Sequence, residues 1–230
     1  MRQTLLILVV LSLFHACHQA GDEARIQGKI IGLNKGTVYL KTFDNDTLLR
    51  IRDSVRVKGK PQFSLSLKGL EPQLAVLEIK ERPGDYLLFF TDDTVMTIQT
   101  QLDKFGVAKY MEGGPNLRHW LKYRDILRQY NEQKIDLTKQ AFEAAQKGDT
   151  SLLHRIEQKN LSLEKRRKLY ALQFSANPPF IPVKAYVAYT EFRHNPRALD
   201  SIYAKWPESL RQSRYGRLAK SVIDKQNSSR

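Results

Sequence analysis

Hydrophobic and polar residues alternate along short segments in the first half of the chain, as strands with one buried face require. Turn signals such as Asn34-Lys35-Gly36, Lys58-Gly59-Lys60 and Pro83-Gly84-Asp85 separate these segments. The pattern predicts seven strands, at residues 26–33, 37–43, 48–57, 62–67, 75–80, 86–90 and 95–100. Short strands at this spacing indicate an antiparallel β-sandwich or a partly closed barrel over residues 25–114.

After Gly113-Gly114-Pro115 the hydrophobic spacing changes to three and four residues, which is the period of an α-helix. The first predicted helix continues to about Lys147, and Gly148-Asp149-Thr150 ends it and caps a second helix over residues 151–174. The two helices are predicted to form a long hairpin. Shorter helices follow, so the sequence predicts an α+β protein with a basic helical region over residues 115–227.

The N-terminus has the features of a secretory signal peptide. Arg2 precedes an apolar run over residues 5–14, which is shorter than the about 20 residues that a bilayer span requires. Residues 13–17 resemble a lipobox, in which the cysteine is lipidated and the preceding segment removed. We expect residues 1–16 to be a signal peptide and residues 17–24 a tether that carries palmitate-type chains on Cys17. The alternative is an ordinary signal peptide that happens to end near a cysteine.

This anchor would place the protein in the cell envelope. We expect it to be attached to the outer membrane and to face the periplasm. Positive charge lies almost entirely in the helical half. Residues 17–114 contain 14 Lys and Arg against 13 Asp and Glu, whereas residues 115–230 contain 23 against 11. An acidic envelope protein or anionic lipid headgroups would be suitable partners. Nucleic acid is not an expected partner, because export removes the chain from the cytoplasm.

The most basic segment is the run Lys165, Arg166, Arg167 and Lys168 in the second predicted helix. It is either a solvated helix face or the binding surface for such a partner. The aromatic residues of the helical half are predicted to pack rather than to form a ligand platform. They are Trp120, Tyr123, Tyr130 and Trp206.

Three acidic clusters are candidate sites. Asp53 and Ser54 can hold a ligand, but the favoured interpretation is structural, with both satisfying backbone donors at a strand irregularity and Gly59 in the turn of the same motif. Asp44-Asn45-Asp46 begins like a calcium loop, yet leucines occupy later positions of that loop, so a hairpin turn is predicted. Asp92-Asp93 is predicted to be a turn rather than the carboxylate pair of a glycoside hydrolase.

The sequence contains no familiar catalytic motif, no phosphate-binding loop and no metal-ligand spacing among its histidines. We therefore expect no catalytic residue, no metal site and no cofactor. The only cysteine is Cys17, so the chain has no Cys-x-x-Cys pair for thiol–disulfide exchange.

The segment Ile51-Arg52-Asp53-Ser54-Val55-Arg56-Val57-Lys58-Gly59-Lys60-Pro61-Gln62-Phe63 resembles the central motif of the domain of unknown function 4369. Tyr86-Leu87-Leu88-Phe89-Phe90, Val95-Met96-Thr97-Ile98 and Gly114-Pro115-Asn116 are similar to the same family, and the similarity is expected to continue to about Asp224. The resemblance implies an envelope lipoprotein in which this region usually precedes a thioredoxin-like domain. We expect that second domain to be absent here, since no Cys-x-x-Cys pair occurs, and the family supplies no established site residues.

The sequence thus favours a non-enzymatic, membrane-anchored envelope lipoprotein that acts as a binding or scaffolding module. One alternative is an accessory factor for a separately encoded thioredoxin-like or other envelope enzyme. A glycan hydrolase is a further alternative, which would require two carboxyl groups that converge in one cleft.

Overall fold

A computed structural model describes residues 23–44 and 48–227. The predicted signal peptide, Cys17 and most of the tether lie outside the described residues, as do Asn45 and Asp46. The described residues of the first half form eight strands, and their bounds are β1 Glu23–Ile31, β2 Lys35–Asp44, β3 Leu48–Lys58, β4 Gln62–Lys68, β5 Leu74–Ile79, β6 Tyr86–Phe90, β7 Val95–Gln101 and β8 Tyr110–Glu112. A short 3-10 helix, Leu102–Lys104, lies between the last two strands.

The strands form two four-stranded sheets, in the orders β4-β1-β7-β8 and β3-β2-β5-β6. Alternate side chains of each sheet enter one shared core, which Ile26 and Met96 of the first sheet and Leu40 and Leu77 of the second help to build. The sheets do not close on each other. The predicted α+β class is therefore confirmed, with the sandwich rather than the barrel as its β-domain.

Two features of the sheets differ from the predicted seven antiparallel strands. β1 and β7 pair in parallel, with Ile26 opposite Met96, whereas every other described pair is antiparallel. A parallel pair requires a long crossover connection, and the intervening strands supply it here. The eighth strand has only three residues, with Met111 half-buried between two exposed neighbours, and is too short to show an alternating pattern.

Six helices follow: α1 Pro115–Gln146, α2 Thr150–Ala176, α3 Pro182–Phe192, α4 Pro196–Tyr203, α5 Glu208–Arg211 and α6 Arg214–Asn227. The predicted hairpin of α1 and α2 is present. Gly148, with a left-handed backbone at φ +68°, lies in the turn that follows α1. The Asp149 carboxylate then accepts the N–H of Leu152 at 2.8 Å and caps the start of α2. In the described part of the chain, no helix is both long enough and apolar enough to cross a membrane.

Aromatic side chains join the sandwich to the helices. The ring of Phe90 on β6 lies 5.6 Å from that of Tyr186 and 6.0 Å from that of Tyr215, measured between centroids. The hydroxyl of Tyr215 accepts the backbone N–H of Leu74 at 3.1 Å. Trp120, Tyr123 and Trp206 are buried, in keeping with the predicted packing role, whereas Tyr130 is half-buried. One apolar core therefore continues from β6 into α1, α3 and α6, and the predicted domain boundary after Gly114 stays a prediction.

The far half of the α1–α2 hairpin packs differently. Its buried side chains are Ala144, Ile156 and Leu163, and none of them belongs to the core that joins the sandwich to the other helices. We call residues 131–165 the arm. The arm is held by contacts between its own two helices, so its outer faces remain available for other molecules.

Candidate functional site

The basic run of α2 divides into two kinds of residue. Arg167 lies partly buried and its Nη1 donates to both carboxylate oxygens of Glu191 on α3, at 2.8 and 2.9 Å. Its Nε also donates to Glu164 at 3.3 Å. A guanidinium held between two carboxylates is a structural cation, so Arg167 fixes α2 against α3 and does not present its charge to a partner.

Neighbouring groups extend this network. Lys134 of α1 donates to Glu164 at 2.8 Å, and this bond is the main reason why the pKa of Glu164 is below its usual value. The hydroxyl of Tyr123 donates to Glu191 at 3.1 Å. Burial, assisted by the charge of Glu191, raises the pKa of Tyr123 well above its ordinary value. The network therefore holds α1, α2 and α3 together at the base of the arm.

The other three cations of the run are exposed. In the described ranges, no ion pair involves Lys165, Arg166 or Lys168. Lys165 and Lys168 follow Leu161 by four and seven residues, so the three side chains share one face of α2. Leu169 borders them, and Leu161 and Leu169 are both exposed hydrophobic residues. We call Leu161, Lys165, Lys168 and Leu169 the basic face.

This face points away from α1. Leu163 is buried and lines a cavity together with Leu137 of α1, so it marks the side of α2 that faces its partner helix. Leu161 and Lys165 each lie two residues from Leu163, which is about 200° around a helix. The basic face is therefore an outer surface of the hairpin that combines apolar area with positive charge.

A second outer surface lies on α1. Ile135 and Phe142 are seven residues apart and both are exposed. Ile135 lies two residues from Leu137, so it also faces away from the opposing helix. The arm thus presents large apolar side chains on both of its outer sides.

The carboxylate of Asp53 accepts backbone N–H groups at an irregularity of β3. Its Oδ1 accepts the N–H of Ser54 and its Oδ2 accepts the N–H of Ser66 on β4, both at 2.7 Å. The register of β2 and β3 shifts at this point, so Arg52 is an extra residue in a β-bulge. Gly59 follows in a turn with φ +74°, and its N–H donates to Asn34 at 2.7 Å. The carboxylate of Asp53 links an edge of one sheet to an edge of the other.

Asp92 lies between β6 and β7, where a turn was predicted, and has a role that the sequence did not reveal. The residue is 2 % exposed, and its carboxylate accepts the backbone N–H groups of Asn116 and Leu117, at 2.9 and 2.8 Å. The Asn116 side chain in turn accepts the N–H of Val183 at 3.0 Å. Asp92 therefore caps α1, and Asn116 caps α3. The one sequence signal was Gly114-Pro115, a helix start without its own capping side chain.

The remaining acidic and histidine candidates lie apart. Asp44 pairs with Arg50 at 2.7 Å and with Arg52, so each of its two carboxylate oxygens already contacts a guanidinium group. Among the residues that the structure describes, no cluster of His, Cys, Asp and Glu could hold a metal ion. The ring nitrogens of the described histidines contact local partners, with His119 bonded to Pro115, His154 near Glu157 and His194 bonded to Arg193.

The cavities do not bring carboxylates together. A crevice of about 170 Å³ between the sandwich and the helices is lined by Phe43, Leu74, Tyr186, Tyr189, Thr190, Arg193 and Tyr215, and it has no carboxylate. Two grooves along the α1–α2 hairpin contain one carboxylate each, Asp136 and Glu164. A fourth hollow beside Gly32 contains Asp103 alone. None of these four spaces offers the two convergent acids that glycoside hydrolysis requires.

Residues 24–118 match the family model described as a domain of unknown function, DUF4369. No curated protein and no solved structure matches the chain. The matched segment contains the sandwich and the first residues of α1, so it includes Asp53, Asp92 and Asn116 but not the arm. The resemblance that the sequence suggested up to about Asp224 is matched only as far as residue 118. Residues 24–118 thus match the DUF4369 family model, in the region where the sequence motifs predicted it.

Proposed function

We propose that this protein is a non-enzymatic, lipid-anchored scaffolding module of the cell envelope, and that the basic face of its α1–α2 hairpin binds an acidic protein partner. The observation that carries the proposal is the basic face, where exposed leucines border cations without a described ion pair. Apolar side chains beside fixed charge give a protein partner both contact area and orientation. Arg167 is not part of this surface, because two carboxylates already hold it.

The shape of the arm favours a protein over a lipid surface. α1 has 32 residues and is therefore about 48 Å long, and the α1–α2 hairpin exposes Ile135 and Phe142 on one side and Leu161 and Leu169 on the other. A planar bilayer contacts only one of two opposite sides at a time. A protein partner that clasps or flanks the hairpin covers both.

The anchor has its own test. Cys17 is the only cysteine of the chain, so mass spectrometry of the protein from membranes has one position to examine. We expect a diacylglyceryl-modified and acylated Cys17 at the new N-terminus, and we expect Cys17→Ser to remain unprocessed. A mature chain that begins elsewhere with an unmodified thiol would show that the anchor is wrong.

The partner is tested by crosslinking in cells followed by affinity purification. The test variant is the double substitution Lys165→Glu and Lys168→Glu, which reverses the basic face and leaves the Arg167 network intact. The matched control is Lys104→Glu with Lys109→Glu, which changes the net charge equally at exposed positions near β8. We expect a crosslinked species that the control retains and the test variant loses.

The captured protein must then bind the purified chain directly, with an affinity that falls as salt concentration rises. Identical species from the test variant and the control would contradict the proposal and make the basic face a solvated surface.

The resemblance read from the sequence motifs is the basis of a second candidate, an accessory factor for a separately encoded envelope enzyme. The resemblance on which it rests usually places this kind of domain before a thioredoxin-like domain, and the sequence has no Cys-x-x-Cys pair of its own. The same crosslinking experiment separates the two proposals: an enzyme whose turnover changes when the purified chain is added indicates the accessory role, and a partner without catalytic activity indicates a scaffold.

A further inference from the structure

The first residues of β3 form an exposed apolar surface at the edge of the sandwich. Leu48, Leu49 and Ile51 are 61 %, 39 % and 50 % exposed. Neighbouring strand residues point to opposite faces, so this segment exposes apolar side chains on both faces. We call Leu48, Leu49 and Ile51 the β3 patch. A long apolar edge strand invites unwanted pairing and is usually covered or charged.

The β3 patch is exposed because β3 extends past the end of β4, the strand of the other sheet that lies beside it. The second half of β3 lies beside β4, where the Asp53 carboxylate accepts the N–H of Ser66 at 2.7 Å. β4 ends at Lys68, only two residues beyond Ser66. Residues 48–51 continue in the same direction from Asp53, so they reach the end of the sandwich with little cover.

The chain enters the sandwich at this same end. Glu23, the first residue of β1, pairs with Lys68, the last residue of β4. Cys17 lies six residues before Glu23. A fully extended segment of that length spans at most about 20 Å. If Cys17 carries lipid, as proposed above, this end of the sandwich is held within about 20 Å of the membrane surface.

The surroundings of the β3 patch suit an anionic lipid surface. Arg50 lies within the segment and its side chain is 61 % exposed, although it also pairs with Asp44. Arg25 and Lys68 are exposed cations on the adjoining ends of β1 and β4. Apolar side chains flanked by arginine and lysine are the composition of interfacial membrane contacts.

We propose that the β3 patch enters the headgroup region of the bilayer beside the anchor and docks this end of the sandwich on the membrane. The inference rests on the proposed lipidation of Cys17. It adds a second attachment to the lipid chains and fixes the orientation of the protein. The arm then has a defined direction relative to the membrane.

A fluorescent depth probe tests this contact. Acylation and thioether formation block Cys17, so Leu48→Cys gives the lipidated protein a single free thiol for an environment-sensitive nitrobenzoxadiazole label. The control is Val107→Cys, because Val107 is equally exposed but lies beyond the opposite end of β7. Both labelled proteins are reconstituted in vesicles of phosphatidylethanolamine and phosphatidylglycerol.

We expect the label at position 48 to shift its emission to the blue on reconstitution and to be quenched by spin-labelled lipids. The label at position 107 should do neither. Equal emission and quenching at the two positions, in protein whose lipid is verified by mass, overturns the docking and leaves the anchor in place. Protein without lipid on Cys17 overturns both.

A blue shift at position 48 before vesicles are added also overturns the membrane contact. It would show that a second copy of the chain, or a bound strand from another protein, already covers the β3 patch. Size measurement of the unreconstituted sample identifies which of the two is present.

Discussion

The carboxylate of Asp92 accepts the backbone N–H of Asn116 at 2.9 Å, across 24 residues of sequence. The loop between β6 and β7 thereby supplies the cap that Gly114 does not provide for α1. The second carboxylate oxygen of Asp92 accepts the next free N–H of the helix, that of Leu117. A side chain of the sandwich thus satisfies two of the donors that every helix start leaves unpaired.

Asp92→Asn should destabilise the fold. An amide has only one acceptor oxygen, so one buried backbone N–H of α1 loses its partner and faces an NH₂ group instead. We expect the free energy of unfolding to fall by about 1–3 kcal/mol in urea denaturation. Asp93→Asn is the adjacent control and should change stability less. A loss no greater than that of the control would contradict the capping role.

Asp92 should also give the stability a specific pH dependence. Burial raises its pKa above the ordinary value of 3.8, even though two N–H groups stabilise the charged form. The folded state therefore holds this proton more tightly than the unfolded state does. The resulting stability is fully present below pH 3.8 and is lost as the pH rises through the raised pKa of the folded protein.

Urea denaturation of the wild type and of Asp92→Asn over this range of pH isolates the effect, because other carboxyl groups are common to both proteins. The advantage of the wild type over Asp92→Asn should be largest below pH 3.8 and should become smaller as the pH rises through the raised pKa, where the two N–H bonds alone maintain it. An advantage that grows with pH would mean that the two N–H bonds outweigh burial and that the pKa is lowered.

Arg167 and Lys165 should respond differently to the same substitution. Arg167→Ala leaves the half-buried carboxylate of Glu191 without its cation, so we expect a loss of about 2 kcal/mol in the free energy of unfolding. Lys165→Ala removes an exposed charge and should change stability by less than about 0.5 kcal/mol. Thermal and urea unfolding measure both. Equal losses in the free energy of unfolding would contradict the division of the run into a structural cation, Arg167, and exposed cations such as Lys165.

Two glycines should differ in their tolerance of alanine. A Cβ on Gly28 would meet the ring of Phe63 and would lie 2.5 Å from the carbonyl oxygen of Ile98, so strands on both sides obstruct it. We expect Gly28→Ala to cost about 3 kcal/mol or to prevent folding. Gly59 has open space around it and only its positive φ to disfavour alanine, which costs about 1 kcal/mol. Thermal unfolding ranks the two; a larger loss for Gly59→Ala would contradict the close packing at Gly28.

Local patterns predicted most of the fold. The seven strands of five or more residues and the α1–α2 hairpin have enough length to show a period of two or of 3.6. The turn at Gly148 and the cap at Asp149 have a direct signal in residue type. Gly59 and Asp53 were also placed in structural roles from their residue types, and the structure gives them contacts of that kind.

The sites were less predictable, because they depend on contacts between distant residues. Nothing near Arg167 in sequence indicates that Glu191 of α3 will hold it, and so the four cations of its run looked equivalent. Nothing near Asp92 indicates that α1 will begin against it. The exposure of Leu48 and Ile51 depends on where β4 ends, so strand alternation alone did not single them out.

The sequence by itself determined which segments are strands and which are helices, because burial of one face imposes a period on the residues of each segment. It also determined the uneven charge and the motifs that match the DUF4369 family model. Only the tertiary structure decided the parallel pairing of β1 with β7, the caps that join the sandwich to the helices, and which cations and leucines remain outside. The reason is physical: these properties arise from pairs of groups that the chain brings together across tens of residues, and a hydrogen bond or an ion pair leaves no period in the sequence of either partner.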